Sequence, residues 1–348
     1  MKTYTSFIAA SIIMMSLSVH ADDKKSYSNH HANDDKKSHS KNHSNNAKGQ
    51  FSFALIGDVP YGVAPGEYYQ PYESLLDNIN NEKHLKWVLH AGDIKSGGTE
   101  CSDALFEDRL QRFNQFNKPV VITPGDNEWT DCHRINAGEY QPLERLAKLR
   151  EVFYPAPGIT LGSRPMQVST QANNPLFEEF PENVIWEEQR VLFSAIHIVG
   201  SNNGLKAFDS SSSAIRTSAD DDEVARREIA ALAWLDETFS RAEKHNSPGV
   251  FIMIHANPGL ERSAVSRYGF EAFLNALEAH TLSYNKPVVL AHGDSHYFRV
   301  DKPSINGFIK NLTRVETFGS KNVHWIKVAV NPKSDEVFSF QQKIILDN

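Results

Sequence analysis

Apolar runs that stop abruptly at Asp or His recur along this chain, each followed by a loop and then a helical pattern. Residues 51–57 run into Asp58, 86–92 into Asp93, and 119–125 into Asp126. Later, 250–254 runs into His255, and 287–291 leads to His292, Asp294 and His296. That rhythm predicts βαβ units in an α/β fold. The clearest helix is expected over 220–241, where Val224, Leu232, Leu235 and Phe239 share one face and the acidic first turn suits the helix dipole. Residues 191–199 and the tail segments 313–318, 323–330 and 337–346 read as strands without intervening helices. Two packed mixed β-sheets flanked by helices fit this content better than a single doubly wound sheet. A Pro- and Asn-rich insertion at about 155–185 and a polar loop at 210–213 carry no motif.

Ligands of α/β sheets bind outside the carboxyl ends of strands, so polar residues just past strand ends are where chemistry is expected. Asp58, Asp93 and Asp126 each follow a Gly, and His255, Asp294 and His296 complete the set. A single Gly-Asp is an ordinary turn dipeptide, but turns alone do not account for the whole series. Carboxylates and imidazoles together suit Mn, Fe, Zn or Mg. No nucleophile elbow, phosphate-binding P-loop or dinucleotide fingerprint is present in the sequence.

The stretches Gly57-Asp58-Val59-Pro60, Gly92-Asp93-Ile94-Lys95-Ser96, Gly125-Asp126-Asn127-Glu128, His255 and Gly293-Asp294-Ser295-His296 resemble, in order, the motifs of the calcineurin-like metallophosphoesterases. The resemblance runs from Phe51 to about Val330. It implies a four-layer α-β-β-α fold and two metals about 3.5–4 Å apart that share a bridging Asp and a hydroxide attacking phosphorus in line. By position, Asp93 is then the bridge, Asp58 and His296 hold one metal, and Asp126, His255 and Asp294 hold the other. The chain departs from the family pattern where Pro60 replaces a His, Asp126 an Asn, Asp294 a His, and Asn127 the His that helps protonate the leaving group. Tyr61 is a conceivable substitute ligand, as some purple acid phosphatases place Tyr at a ligand position. An amide hydrogen-bonds but cannot serve as that acid. His133 and His292 are alternatives for it, set against plain packing roles. Lys95 and Arg299 are candidates for contacting a substrate oxyanion, set against solvent exposure, and His90 reads as a buried structural residue.

A basic start at Lys2, an apolar run over 7–17 and a small-residue end at Val19-His20-Ala21 predict a signal peptide cleaved after Ala21. The run is short against the ~20 residues that span a bilayer, so no membrane association is expected once it is removed, and the protein is expected in the periplasm or outside the cell. Residues 22–50 contain no Val, Ile, Leu or Phe, and are expected to form a disordered leader; its His30, His31, His39 and His43 either collect metal or sit in a plain polar spacer. The domain is expected over 51–348. A formal net charge of -7 argues against a nucleic-acid partner. In an exported chain, Cys101 and Cys132 are expected to form one disulfide rather than a thiolate site. The expected function is an exported metal-dependent phosphoester hydrolase acting on a small phosphoester, with a catalytically idle metal-binding or interaction protein as the alternative.

Overall fold

Every position of β1 (Phe51–Ile56) is buried, which explains its unbroken apolar run. Phe53 and Leu55 pack in one core cluster, while Ala54 and Ile56 pack in another. A strand reads this way when both faces of its sheet are covered. The computed structural model describes residues 49–346 and 348. The predicted signal peptide and leader lie outside the described residues, apart from Gly49 and Gln50.

After β1 come α1 (Gln70–Asn81), β2 (Leu85–His90), α2 (Asp103–Phe113), β3 (Val120–Ile122) and α3 (Pro142–Phe153). The second half contains β4 (Ser169–Thr170), β5 (Val184–Glu188), β6 (Val191–Ala195), α4 (Ser218–Lys244), β7 (Val250–Met253), α5 (Glu271–Tyr284) and β8 (Val288–His292). The chain closes with β9 (Arg299–Asp301), β10 (Leu312–Glu316), β11 (Trp325–Val330) and β12 (Phe338–Lys343). One sheet has five strands in the order β12-β11-β1-β2-β3, and the other seven in the order β4-β5-β6-β7-β8-β10-β9. Both are mixed: β1, β2 and β3 run parallel, as do β6, β7, β8 and β10, whereas β1–β11 and β5–β6 pair antiparallel.

Three apolar layers hold these elements. Tyr72, Leu75 and Ile79 of α1 join Phe106 and Phe113 of α2 and Leu149 of α3 over the outer face of the first sheet. Phe53, Trp87, Phe193, Phe251 and Val328 fill the space between the sheets. Leu235 and Phe239 of α4 and Leu274 and Leu277 of α5 cover the second sheet. The result is the expected pair of packed sheets between helices. Helix α4 begins before the periodic segment because Thr217 and Asp220 form a reciprocal capping box. The predicted insertion ends early, since β5 takes its last residues, and the strand expected over 191–199 stops at Ala195.

Parallel pairing puts the carboxyl ends of β1, β2 and β3 along one edge, and β6, β7 and β8 bring theirs to an edge of the second sheet. His255, just after β7, donates from Nδ1–H to Ala91 O just after β2 at 2.6 Å, so the two edges adjoin. Among the described residues, no helix is long and apolar enough to cross a membrane. Cys101 and Cys132 form a disulfide whose partners are 31 residues apart.

Candidate metal centre

The Gly before each strand-end Asp is a packing requirement. At Gly92, φ is +86° and an added Cβ would lie 2.7 Å from His255 Nδ1 and 2.8 Å from Gly125 N. At Gly125 it would lie 2.2 Å from Asp93 Oδ1. The loops after β2 and β3 therefore touch through their glycines, and His255 after β7 packs against Gly92. Asp58, Asp93, Asp294 and His296 all have positive φ, at 59°, 57°, 76° and 58°. A strained non-glycine backbone concentrated at four of six polar residues is characteristic of a functional site.

Buried Glu128 ties two of these loops together, accepting hydrogen bonds from the backbone N–H groups of Asp93 (3.1 Å), Ile94 (3.4 Å) and Gly125 (2.5 Å). Asp58 accepts from the Asp294 N–H at 3.1 Å, joining the first motif to the last across the two sheets. Asp294 in turn accepts from the Asn257 N–H at 3.0 Å.

Ligand atoms of Asp58, Asp93 and His255 lie within 4.8 Å of one another, as do those of Asp126, His255 and Asp294. His255 is the residue common to both groups. His296 Nε2 is 3.4 Å from Asp58 Oδ1 but belongs to neither group. Asp93 also engages protein donors: the Tyr61 hydroxyl donates to its Oδ2 at 2.6 Å, the Asn127 N–H donates to its Oδ1 at 3.1 Å, and the Asn127 side-chain amide closely approaches Oδ2.

The imidazoles are held in one tautomer. His255 commits Nδ1–H to Ala91 O, leaving Nε2 between Asp126 Oδ1 at 3.1 Å and Asp93 Oδ1 at 3.3 Å. His296 does the same, with Nδ1 on Ser320 O at 2.6 Å and Nε2 toward Asp58. An imidazole lone pair facing carboxylate oxygens is repulsive unless a cation or a proton lies between them. Backbone carbonyls orienting Nδ1–H so that Nε2 can ligate is the usual second layer of a metal site. Burial pushes His255 down, but Asp93, Asp126 and Asp294 hold it well above the usual imidazole range. Burial raises Asp93 well above the carboxylate range against the opposing pull of His255, with Asp126, Glu128 and Asp58 adding repulsion. The donor set of buried carboxylates and imidazoles fits divalent cations, which would supply the missing counter-charge.

The other predicted residues are engaged with neighbouring protein groups. Lys95 is fully buried, donates to Ser96 O at 3.0 Å and is pushed down to about 8 by burial, so it is not the solvent-facing cation expected of an oxyanion contact. Arg299 is spent on ion pairs with Glu261 at 2.8 Å and Glu316 at 2.7 Å. His292 is fully buried at the end of β8 and lowered to about 4 by burial, so it is neutral and without access to a leaving group. His133 stacks on Phe208 at 4.4 Å. For His133 and His292 these contacts favour the packing alternative, and Lys95 and Arg299 are neither solvent-exposed nor free cations, because a polar side chain beside a motif can pack inward as readily as outward.

His90 is buried as expected and donates from Nε2–H to Val59 O at 2.8 Å while Nδ1 accepts from the Gly92 N–H at 3.2 Å. Those bonds use one hydrogen and one lone pair, which only the neutral ring offers. Burial lowers His90 from 6.5 to about 4, so between those values the unfolded chain binds the extra proton and stability falls as pH falls. Urea unfolding from pH 6.5 to 4.5 is expected to show a His90 contribution of roughly 1 kcal/mol per pH unit. His90→Gln, unable to protonate there, is expected to reduce the slope by that amount, and an unchanged slope would remove this role.

A feature absent from the sequence reading follows β6. Ser201, Asn202 and Asn203 have φ of 49°, 55° and 58°, a left-handed turn continued by Gly204 at 78°. Each such non-glycine residue costs about 1–2 kcal/mol, least for Asn. The Ser201 hydroxyl lies 3.0 Å from Asp126 Oδ2 and 2.9 Å from Asp131 Oδ1. Asp131 is raised to about 7 by burial and then by Asp126. The run Gly200-Ser201-Asn202-Asn203-Gly204, a further polar stop after an apolar strand, was the available signal.

A family model described as calcineurin-like phosphoesterase matches residues 51–298, from β1 through the last motif. Comparison with curated proteins finds no match.

Proposed function

This chain belongs to the calcineurin-like phosphoesterases, and from that premise we propose that it is an exported hydrolase of small phosphoesters that works with divalent metal ions held at the adjoining sheet edges. The observation that carries the reading is His255 Nε2, buried between Asp93 and Asp126 with its Nδ1–H tied to Ala91. Asp58 and Asp93, with His296 beside Asp58, would hold one ion, and Asp126, Asp294 and the one free lone pair of His255 Nε2 the other. Bound there, the ions would activate water and neutralise charge developing on the phosphoryl oxygens. Glu128 holds the loops of Asp93 and Asp126 in register, and the Tyr61 hydroxyl and Asn127 amide orient the Asp93 carboxyl.

Burial and the Asp93 charge raise Tyr61 well above the ordinary phenol range, so it keeps its proton and donates. The Asn127 amide directs its side-chain N–H groups at Asp93 and Tyr61 and carries no transferable proton near neutral pH. A general acid contributes about 10²–10⁴-fold, and its loss falls hardest on poor leaving groups. Aryl phosphoesters are therefore expected to be cleaved at least ~10²-fold faster than alkyl ones, and Asn127→His is expected to narrow that gap. Equal or reversed preference in the wild type would sink this account of Asn127.

The reading as a whole is tested by elemental analysis of residues 51–348 and by mono- and diester assays with Mn, Fe, Zn and Mg. Bound metal with turnover that chelator abolishes and ion restores is the expected result. A second reading, a metal-binding protein without turnover, is favoured by the double engagement of Asp93 Oδ2 by Tyr61 and Asn127. Stoichiometric metal with no hydrolysis under any ion would establish it instead.

A further inference from the structure

We propose that the cleft beside the acidic cluster is a subsite for a second anionic group on the substrate, so that the preferred phosphoesters carry another phosphate or a carboxylate. The inference rests on the hydrolase reading and narrows its substrate class. The cleft has a volume of 400 Å³ and opens between the left-handed turn after β6 and the loop after β7, with Asp294 of the cluster in its wall. Its charged lining is otherwise cationic: Lys206 and Arg262 on the rim and buried Arg267.

Arg267 is already bonded to Glu271 at 2.5 Å. Lys206 and Arg262 are both exposed, and neither has a carboxylate within ion-pair distance among the described residues. Nearby Arg134, Arg216, Arg299 and Arg314, by contrast, are each paired with acids. Two unpaired cations beside a strongly acidic cluster leave a charge pattern that a metal-bound phosphoryl group at one end and a second anion at the other would complement.

The turn supplies an independent observation. Ser201 and Asn202 line the cleft, and neither backbone N–H has a hydrogen-bond acceptor among the described residues. The turn is fixed by Gly269 N–H donating to Asn202 Oδ1 at 3.1 Å and by Arg227 donating to Asn203 O at 3.0 Å. Unpaired amides in the cleft wall are donors available to an anion.

The test compares the metal-loaded wild type with Lys206→Ala/Arg262→Ala, both exposed positions, on phenyl phosphate and hydroquinone bisphosphate. In parallel, calorimetry measures binding of non-hydrolysable phenylphosphonate and 1,4-phenylenebisphosphonate. The double variant is expected to lose about 10²-fold in kcat/KM on the bisphosphate while changing less than about threefold on phenyl phosphate, and to weaken bisphosphonate binding by a similar factor. Equal losses on both substrates, or none on either, would overturn the subsite. If neither substrate turns over with any ion, the hydrolase reading fails, and the two phosphonates still decide the subsite: a bisphosphonate advantage lost in the variant supports it, and no advantage in the wild type refutes it.

Discussion

Asp93→Asn is expected to lose most of the bound divalent metal and to lower phosphoester turnover by about 10³-fold, since charge stabilisation by the metals is worth several kcal/mol and each decade corresponds to about 1.4 kcal/mol. The substitution keeps the shape of the side chain and an oxygen for the Asn127 N–H, which now donates to Asp93 Oδ1 at 3.1 Å. It removes one charge from a buried group already surrounded by Asp126, Glu128 and Asp58. The new amide NH2 would face the Tyr61 and Asn127 donors that Oδ2 now accepts from, so melting curves of the metal-free variant and wild type separate lost metal binding from unfolding. Elemental analysis and kcat/KM on the same preparation check this. Full metal content in Asp93→Asn would take the residue out of the centre.

The second large effect concerns the disulfide. Cys101 precedes α2 and Cys132 lies in the short helical turn Thr130–His133, so the bridge fastens the loop after Asp93 to the loop after Asp126. Both sulfur-bearing residues are fully buried. Closing a loop of 31 residues restricts the unfolded chain by about 3–4 kcal/mol in the entropy model. Cys101→Ala/Cys132→Ala is expected to lower the melting temperature by roughly 5–12 °C. Reductant should shift the wild type in the same direction and leave the variant unmoved. A wild type and double variant that melt together would show that the bridge constrains nothing.

The layers of the fold were legible because each strand carries its burial in its own composition. Phe51–Ile56 is apolar throughout, since one sheet face meets helices and the other meets a second sheet. Short elements were less legible. β9 (Arg299–Asp301) has no buried residue and pairs through β10, so its sequence carries no apolar signature. β5 lies at the edge of a Pro- and Asn-rich segment whose composition masks it.

The sequence by itself determined which residues stand at the strand ends, because an apolar run interrupted by Gly and then Asp or His is a local pattern, and parallel pairing gathers such ends on one edge whatever the connecting loops do. Only the tertiary structure decided how those residues meet. Asp294 N–H reaches Asp58 across 236 residues of chain, and His255 Nε2 comes to lie between Asp126 and Asp93. It also decided that Lys95 and His292 point into the interior while Ser201 reaches Asp126. Whether a polar side chain beside a motif is buried, paired or free depends on what packs against it from the other sheet, and no spacing along one strand records that.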